Sequence, residues 1–227
     1  MALSACKTGL DRHSVFGFSC SRCLVCCRYK KIQLNPYEIA RLAGNRGLST
    51  AEFISRHTSN GGSVLRFNQD GACVFLTNEG CAVHSDRPLV CRLYPLGRQV
   101  QFAGPETFSQ IELEKECEGI FHDTGDIEQY LEEQGALPFM HAADQYLKLL
   151  WFLLDVLNEQ KIEPSESEAI LQAVKDSDHD GALGNQAFWM DMDAAVDDYC
   201  RKSGIPVPAD VNEKMIIHIK AVREWTA

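Results

Sequence analysis

The sequence lacks the glycine-rich and serine motifs by which many enzymes are recognised. Its 227 residues contain no Gly-rich phosphate loop, no G-x-G-x-x-G turn and no serine-hydrolase elbow. No motif therefore predicts a nucleotide, a methyl donor on a glycine-rich turn, or serine hydrolysis. We also find no paired acid and base that could be named as catalytic, so the sequence leaves open whether the protein is an enzyme.

The chain also lacks long apolar segments. Residues 1–18 contain no apolar run flanked by positive charge, so we expect no signal peptide. The longest apolar stretch, LLWFLLDVL, is too short to span a bilayer. We therefore expect a cytoplasmic protein with no membrane partner. In such a reducing compartment, ten cysteines indicate metal binding or catalysis more than disulfides.

Charge is distributed unevenly. The net charge is −10, yet residues 1–104 hold 13 Lys and Arg against 6 Asp and Glu, whereas residues 105–227 hold 9 against 26. Because the overall charge is acidic and no recognition motif appears, we expect no nucleic-acid partner. Basic residues near the cysteines would lower thiol pKa values and stabilise thiolates. They are Arg22, Arg28, Lys30, Lys31, Arg87 and Arg92.

Hydrophobic patterns and turn signals predict short elements first and helices later. Strands are expected at 31–34, 63–67, 72–76, 98–103 and 108–113, with NQDG as a hairpin-like turn. Helices are expected at 36–44, from 50, and at 127–133, 138–160, 169–175, 186–202 and 211–225. The prediction is an α+β fold: a small, irregular, metal-nucleated unit over residues 1–122, with an acidic helical region, 123–227, packed on it.

Cysteines form the most specific pattern in the chain. The run Cys20-x2-Cys23-x2-Cys26 matches the first three ligands of a bacterial ferredoxin motif, but the fourth cysteine with its proline is missing. A fourth thiolate must then come from elsewhere. The candidate metal ligands are Cys20, Cys23, Cys26, Cys27, Cys73, Cys81, Cys91 and Cys117. Cys117 has no local support, and eight thiols allow one site or two.

The adjacent pair Cys26 and Cys27 poses a geometric problem, because neighbouring side chains diverge. In a helix, Cys20, Cys23 and Cys27 would share a face; in a ferredoxin-type loop, Cys20, Cys23 and Cys26 would converge. Either way one thiol of the pair is spare. It could serve a second site, lie beside the first, or be a reactive nucleophile with a lowered pKa.

Two other segments hold possible ligands. Cys81-x2-His84 has zinc-site spacing, and His84 either ligates or hydrogen-bonds a thiolate. DSDHDG at 176–181 resembles the start of an EF-hand loop, but position twelve is Ala187, so an exposed acidic loop is the better interpretation. Cys6 and Cys200 stand alone and are expected to play no part in metal binding.

The order CSRCLVCC, a cysteine before FL, then CAVHSDRPLVCRLYP, resembles the YkgJ-type cysteine-cluster family, also described as the CxxCxxCC putative zinc- or iron-chelating domain. The resemblance covers about residues 20–120 and implies metal or cluster binding. It also extends in part to flagellin lysine methylase, which would imply a role in modifying a protein.

Three functional hypotheses follow. The favoured one is an iron–sulfur protein, with a [4Fe–4S] cluster used for redox or protein-modification chemistry. The alternative is a non-enzymatic module that zinc or iron holds together, with its acidic half binding a protein partner. A third is a metal-handling protein that uses Cys26 and Cys27 as an exchangeable pair.

Overall fold

The computed structural model describes residues 5–101, 104–159 and 189–225, and its fold is α+β as predicted. The strands are β1 (Ala5–Leu10), β2 (Val15–Ser19), β3 (Thr58–Ser59), β4 (Val64–Leu65), β5 (Leu76–Thr77), β6 (Gly80–Cys81), β7 (Leu96–Gln99), β8 (Thr107–Ile111) and β9 (Ile120–Asp126). The helices are α1 (Pro36–Arg46), α2 (Thr50–His57), α3 (Leu89–Leu93), α4 (Ile127–Glu133), α5 (Leu137–Glu159), α6 (Met192–Ser203) and α7 (Val211–Trp225).

Contacts divide the chain into two compact units that interleave in sequence. Unit 1 comprises residues 1–32 and 66–140, and unit 2 comprises 33–65 and 141–227. The helices α1 and α2 thus belong with the later helices rather than with the cysteines that flank them in sequence. The predicted limits, 1–122 and 123–227, and the packing of one region on the other stay predictions.

Unit 1 is built from small antiparallel sheets. One has the order β1–β8–β7, β2 pairs with β9, and β5 pairs with β6. Its core includes Phe16, Phe108, Ile127 and Leu131, with Tyr130 packed edge-on against Phe16 at 4.9 Å between ring centroids. Most of the candidate cysteines lie on loops and short turns between these sheets, whereas Cys81 ends β6 and Cys91 lies in α3.

Unit 2 is mainly helical, and several of its helix ends follow the sequence signals, although α1 ends at Arg46 rather than at residue 44. In α1 the Asn35 side chain accepts from the backbone of Glu38, and Glu38 reciprocates, which completes a capping box. Ser49 and Glu52 form the predicted capping box of α2. The helix α6 ends at Gly204 in the left-handed conformation, as expected of a glycine cap.

The strand predictions are only partly confirmed. The NQDG turn is present, with Gly71 N–H donating to the Asn68 carbonyl, but only an isolated bridge joins Phe67 to Cys73 across it. Residues 31–34 form no named strand and contribute one bridge, from Gln33 to Val64. The strands β1, β2 and β9 were not predicted, because each pairs with a partner about 100 residues away and lacks a local turn signal.

Two predictions lie outside the described residues: the helix at 169–175 and the acidic loop at 176–181. The predicted helix at 186–202 is described from residue 189 and is interrupted at Asp191, whose side chain caps α6 by accepting from Ala194. Among the described residues, none of the helices has the length and hydropathy needed to cross a membrane.

The core of unit 2 contains a buried histidine. His218 on α7 is fully buried, and its Nδ1 lies 3.0 Å from the hydroxyl of Tyr146 on α5. Within the described part of the chain, its Nε2 has no hydrogen-bond partner. Burial lowers the pKa of His218 to about 4, so the ring is neutral at pH 7.

This histidine predicts loss of stability in mild acid. The unfolded chain binds a proton at His218 near pH 6.5, whereas the folded chain binds it only near pH 4. The stability that the neutral His218 ring contributes is therefore fully present above pH 6.5 and is lost as the pH falls towards 4. Between pH 7 and 5, we expect the free energy of unfolding to fall by about 2 kcal/mol from this group.

Urea unfolding at both pH values, in the wild type and His218→Gln, measures the effect. Carboxylates titrate in both proteins, so the difference between them isolates His218. Equal pH dependence in the two proteins would show that the ring is not buried in its neutral form.

Candidate metal centre

The cysteine run has the conformation of a loop and not of an α-helix. Arg22 and Leu24 have positive φ angles of 57° and 65°, and only a single 3₁₀ turn, Val25–Cys27, follows them. Positive φ at two non-glycine residues within three positions is incompatible with an α-helix. Of the two conformations considered from the sequence, the run therefore adopts the loop, in which Cys20, Cys23 and Cys26 were expected to converge.

The loop meets a cysteine that is 94 residues away in the sequence. The Sγ atom of Cys23 lies 4.0 Å from the Sγ atom of Cys117. The thiol of Cys26 lies within electrostatic range of Cys23 and Cys117, and it hydrogen-bonds the thiol of Cys27. Cys117 had no support from its sequence neighbours, and tertiary structure supplies that support.

Local interactions explain how Cys117 reaches the loop. Its backbone N–H donates to the Glu114 carbonyl in a tight turn, at 2.8 Å. The carboxylate of Glu114 pairs with the ammonium group of Lys30, which follows the cysteine loop. The Glu114 N–H also donates to the hydroxyl of Tyr94, at 3.4 Å. Segment 114–117 is thus fastened to the cysteine loop by one ion pair and to the Tyr94 side chain by one hydrogen bond.

A second pair of thiols lies on the short hairpin β5–β6. Cys73 begins the turn that leads into β5, where Leu76 N–H donates to the Cys73 carbonyl at 2.9 Å. Leu76 then pairs with Cys81 across the hairpin. Cys73 and Cys81 interact electrostatically, and each is partly buried.

Burial and neighbouring thiols together raise the pKa values of three cysteines. The pKa of Cys26 is raised by its hydrogen bond with Cys27, by burial and by the neighbouring thiolates Cys27 and Cys23. Burial raises the pKa values of Cys73 and Cys117, and the charges of Cys81 and Cys23, respectively, add to it. Thiolates this close repel one another, and a bound cation would remove that cost.

Cys23 differs, because its pKa is lowered. Burial opposes its ionisation, but backbone N–H groups of Val25 and Glu118 and the thiol of Cys117 together outweigh burial. The expected lowering by basic side chains is therefore not the dominant effect. Lys30 favours the thiolate of Cys26, but less than burial and the other thiols oppose it.

Several arginines act on His84, which lies in the segment after Cys81. The pKa of His84 is lowered by burial and by the charges of Arg87, Arg22 and Arg92. Arg87 donates to the His84 carbonyl at 2.8 Å, and its guanidinium lies 3.4 Å from the His84 ring. Whether His84 ligates a metal stays a prediction.

Arg92 holds this segment in place from inside the unit. It is only 5% exposed, and its guanidinium donates to the backbone carbonyls of Arg87, Gln134 and Ser85. Its guanidinium carbon also lies 3.9 Å from the centroid of the Phe139 ring. The planar guanidinium can satisfy several carbonyls at once while stacking on an aromatic ring, which an ammonium group cannot do.

The donor set fits a metal that prefers sulfur. Thiolates favour zinc, iron and iron–sulfur clusters, and all eight candidate cysteines are free thiols in unit 1. Within residues 5–101, 104–159 and 189–225, however, no three His, Cys, Asp or Glu side chains are already arranged to hold a metal ion. Cys20 and Cys91 are exposed. Cys200 is buried and belongs to unit 2, whereas the eight candidate cysteines belong to unit 1.

These features define a cysteine-rich metal-binding protein. Residues 19–118 match the CxxCxxCC family, described as a putative zinc- or iron-chelating domain. The segment contains all eight candidate cysteines, so the resemblance seen in the sequence is confirmed over this part of the chain. No curated protein and no solved structure matches the chain.

The buried Arg92 yields a prediction about the scaffold of the centre. Arg92→Lys would leave several backbone carbonyls without donors and lose the stacking on Phe139. We expect the free energy of unfolding to fall by about 3 kcal/mol, as measured by urea denaturation.

Arg28→Lys is the matched control, because the Arg28 side chain is half exposed and pairs with Asp70 at 3.7 Å. Its effect should stay within about 0.5 kcal/mol. Equal losses in the two variants would contradict the special role of Arg92.

Proposed function

We propose that unit 1 binds an iron–sulfur cluster, of the [4Fe–4S] type, and that the protein uses it in redox or protein-modification chemistry. The observation that carries the proposal is the approach of Cys117 to a ferredoxin-type cysteine loop. That loop supplies three thiols at C-x2-C-x2-C spacing, and Cys117 supplies the fourth that the motif lacks in sequence. Cys20, Cys23, Cys26 and Cys117 are then the ligands of the cluster.

The surroundings of these thiols support the same proposal. Tyr94 and Tyr130 lie within electrostatic range of Cys26, and the Tyr130 hydroxyl donates to the Tyr94 carbonyl at 2.7 Å. Both rings are partly or fully buried, and burial raises the pKa of Tyr94 to about 12. A cluster here would have neutral aromatic walls on one side and Lys30 near its thiolates, and such surroundings tune reduction potentials.

A second candidate is a single zinc or iron ion that stabilises the fold without catalysis. The distance between Cys23 and Cys117 favours it, since thiolates about 2.3 Å from one tetrahedral ion lie about 3.8 Å apart. Around a cubane cluster the thiolates stand further apart, because each binds a different iron. In this case the acidic residues of the second half would serve a protein partner.

Iron, zinc and acid-labile sulfide per chain, with a visible spectrum, separate the two candidates. On full-length protein purified without oxygen, we expect a brown colour that bleaches in air, and iron and sulfide in equal amounts, at about four each per cluster. Cys200→Ala should leave these contents unchanged, since Cys200 lies in unit 2. Zinc without sulfide, in a colourless protein, would overturn the iron–sulfur proposal in favour of the structural ion.

A further inference from the structure

We propose that the eight cysteines form two separate metal centres and that the adjacent pair Cys26–Cys27 is divided between them. The first, the loop centre, comprises Cys20, Cys23, Cys26 and Cys117. The second, the hairpin centre, comprises Cys27, Cys73, Cys81 and Cys91. This inference rests on the proposed function only in needing the domain to bind metal, whichever metal that is.

The loop centre is defined by contact across the sequence. Cys23 and Cys117 are joined by the 4.0 Å distance between their sulfur atoms, and Cys26 interacts with both thiols. Cys20 enters the same loop, and its charge, like that of Cys26, acts on the hydroxyl of Tyr130. Cys20 and Cys26 thus both act on the Tyr130 hydroxyl, and Cys26 links them to the pair Cys23 and Cys117.

The backbone of Cys27 leads to a different set of thiols. Residues 27–29 pair in antiparallel register with residues 71–73: Cys73 N–H donates to the Cys27 carbonyl at 3.0 Å, and Arg28 forms a bridge with Ala72. Tyr29 N–H donates to the Gly71 carbonyl at 2.8 Å, which continues the register. In this register Cys27, the last residue of the 3₁₀ turn, stands opposite Cys73.

The hairpin continues this second set. Cys81 stands at the end of β6, beside the turn that Cys73 begins, and the thiols of Cys73 and Cys81 interact. Cys91 follows on α3, and Arg92 next to it ties α3 to the carbonyls of Ser85 and Arg87 in the segment that leaves the hairpin. The thiol of Cys27 hydrogen-bonds that of Cys26, so the two proposed centres adjoin at this pair.

In the two-centre arrangement Cys26 and Cys27 bind different metals, although the sequence alone does not distinguish them. A single four-thiolate centre uses one of the adjacent pair and leaves the other dispensable. Two centres use both, each for its own metal. Single substitutions of the two neighbours therefore distinguish the arrangements, with the same chemistry changed at positions one residue apart.

The first measurement is titration of the metal-free, reduced full-length chain with Co²⁺, followed by the thiolate-to-cobalt absorption. We expect the absorption to rise until two equivalents are bound. A break at one equivalent would overturn the proposal. This titration needs no variant, so it stays decisive if a substitution prevents folding.

The second measurement is total metal per chain in Cys26→Ser and Cys27→Ser, with Cys200→Ala as control. Each of the two variants should bind about one equivalent of Co²⁺, half the wild-type amount, and Cys117→Ser and Cys81→Ser should repeat the two results. A loss of all metal in both variants, or a loss in one and none in the other, would contradict two centres.

These outcomes are independent of the iron–sulfur proposal. If the protein as purified holds zinc without sulfide, the cluster is wrong, yet two equivalents of cobalt still support two centres. If it holds a cluster and binds only one equivalent of cobalt, the cluster stands and the second centre falls. A chain that binds no iron, zinc or cobalt would contradict both.

Discussion

The unit that holds the cysteines depends on the close approach of thiols from distant parts of the chain. Cys23 and Cys117 are 94 residues apart in sequence and 4.0 Å apart in space. Bringing thiols together in a partly buried setting raises the cost of ionising them, as the raised pKa values of Cys26 and Cys117 show. A bound metal converts this cost into a gain, because it withdraws the protons and screens the thiolates, so binding and folding are coupled.

The rest of unit 1 holds these loops through its apolar core around Phe16 and Phe108 and through polar contacts. The sheets are small, and several of the contacts that fix the cysteine segments are polar. Lys30 with Glu114 secures one segment, and Arg92 secures another through backbone carbonyls. Where the backbone forms no helix or strand, the buried arginine donates the hydrogen bonds that the backbone carbonyls would otherwise lack. The scaffold thus gives these cysteine segments a defined place in unit 1.

Local signals account for the part of the structure that could be predicted. The sequence predicts capped helix ends where the structure has them, as at Ser49 and Gly204, because capping side chains and glycines act within one helical turn. The strand β2 was missed because its partner β9 lies about 100 residues away. Cys117 was the least supported candidate for the same reason: nothing in KECEG indicates that Glu114 meets Lys30 or that the thiol meets Cys23.

Cysteine spacing predicts the ligand residues but not their arrangement, and the ligand set stays a prediction. It left open whether the run around Cys26 is helix or loop, and the positive φ angles of Arg22 and Leu24 decide for the loop. Only the register of residues 27–29 with 71–73 shows that Cys27 stands opposite Cys73.

The central claim is that thiolates from separate segments converge on metal. X-ray absorption at the metal edge of the protein as purified tests it most directly, because it counts the atoms bound to the metal and identifies them. The account predicts a first shell of sulfur alone, about four atoms per metal. A shell dominated by nitrogen or oxygen would contradict it, since the cysteines would then not be the principal ligands.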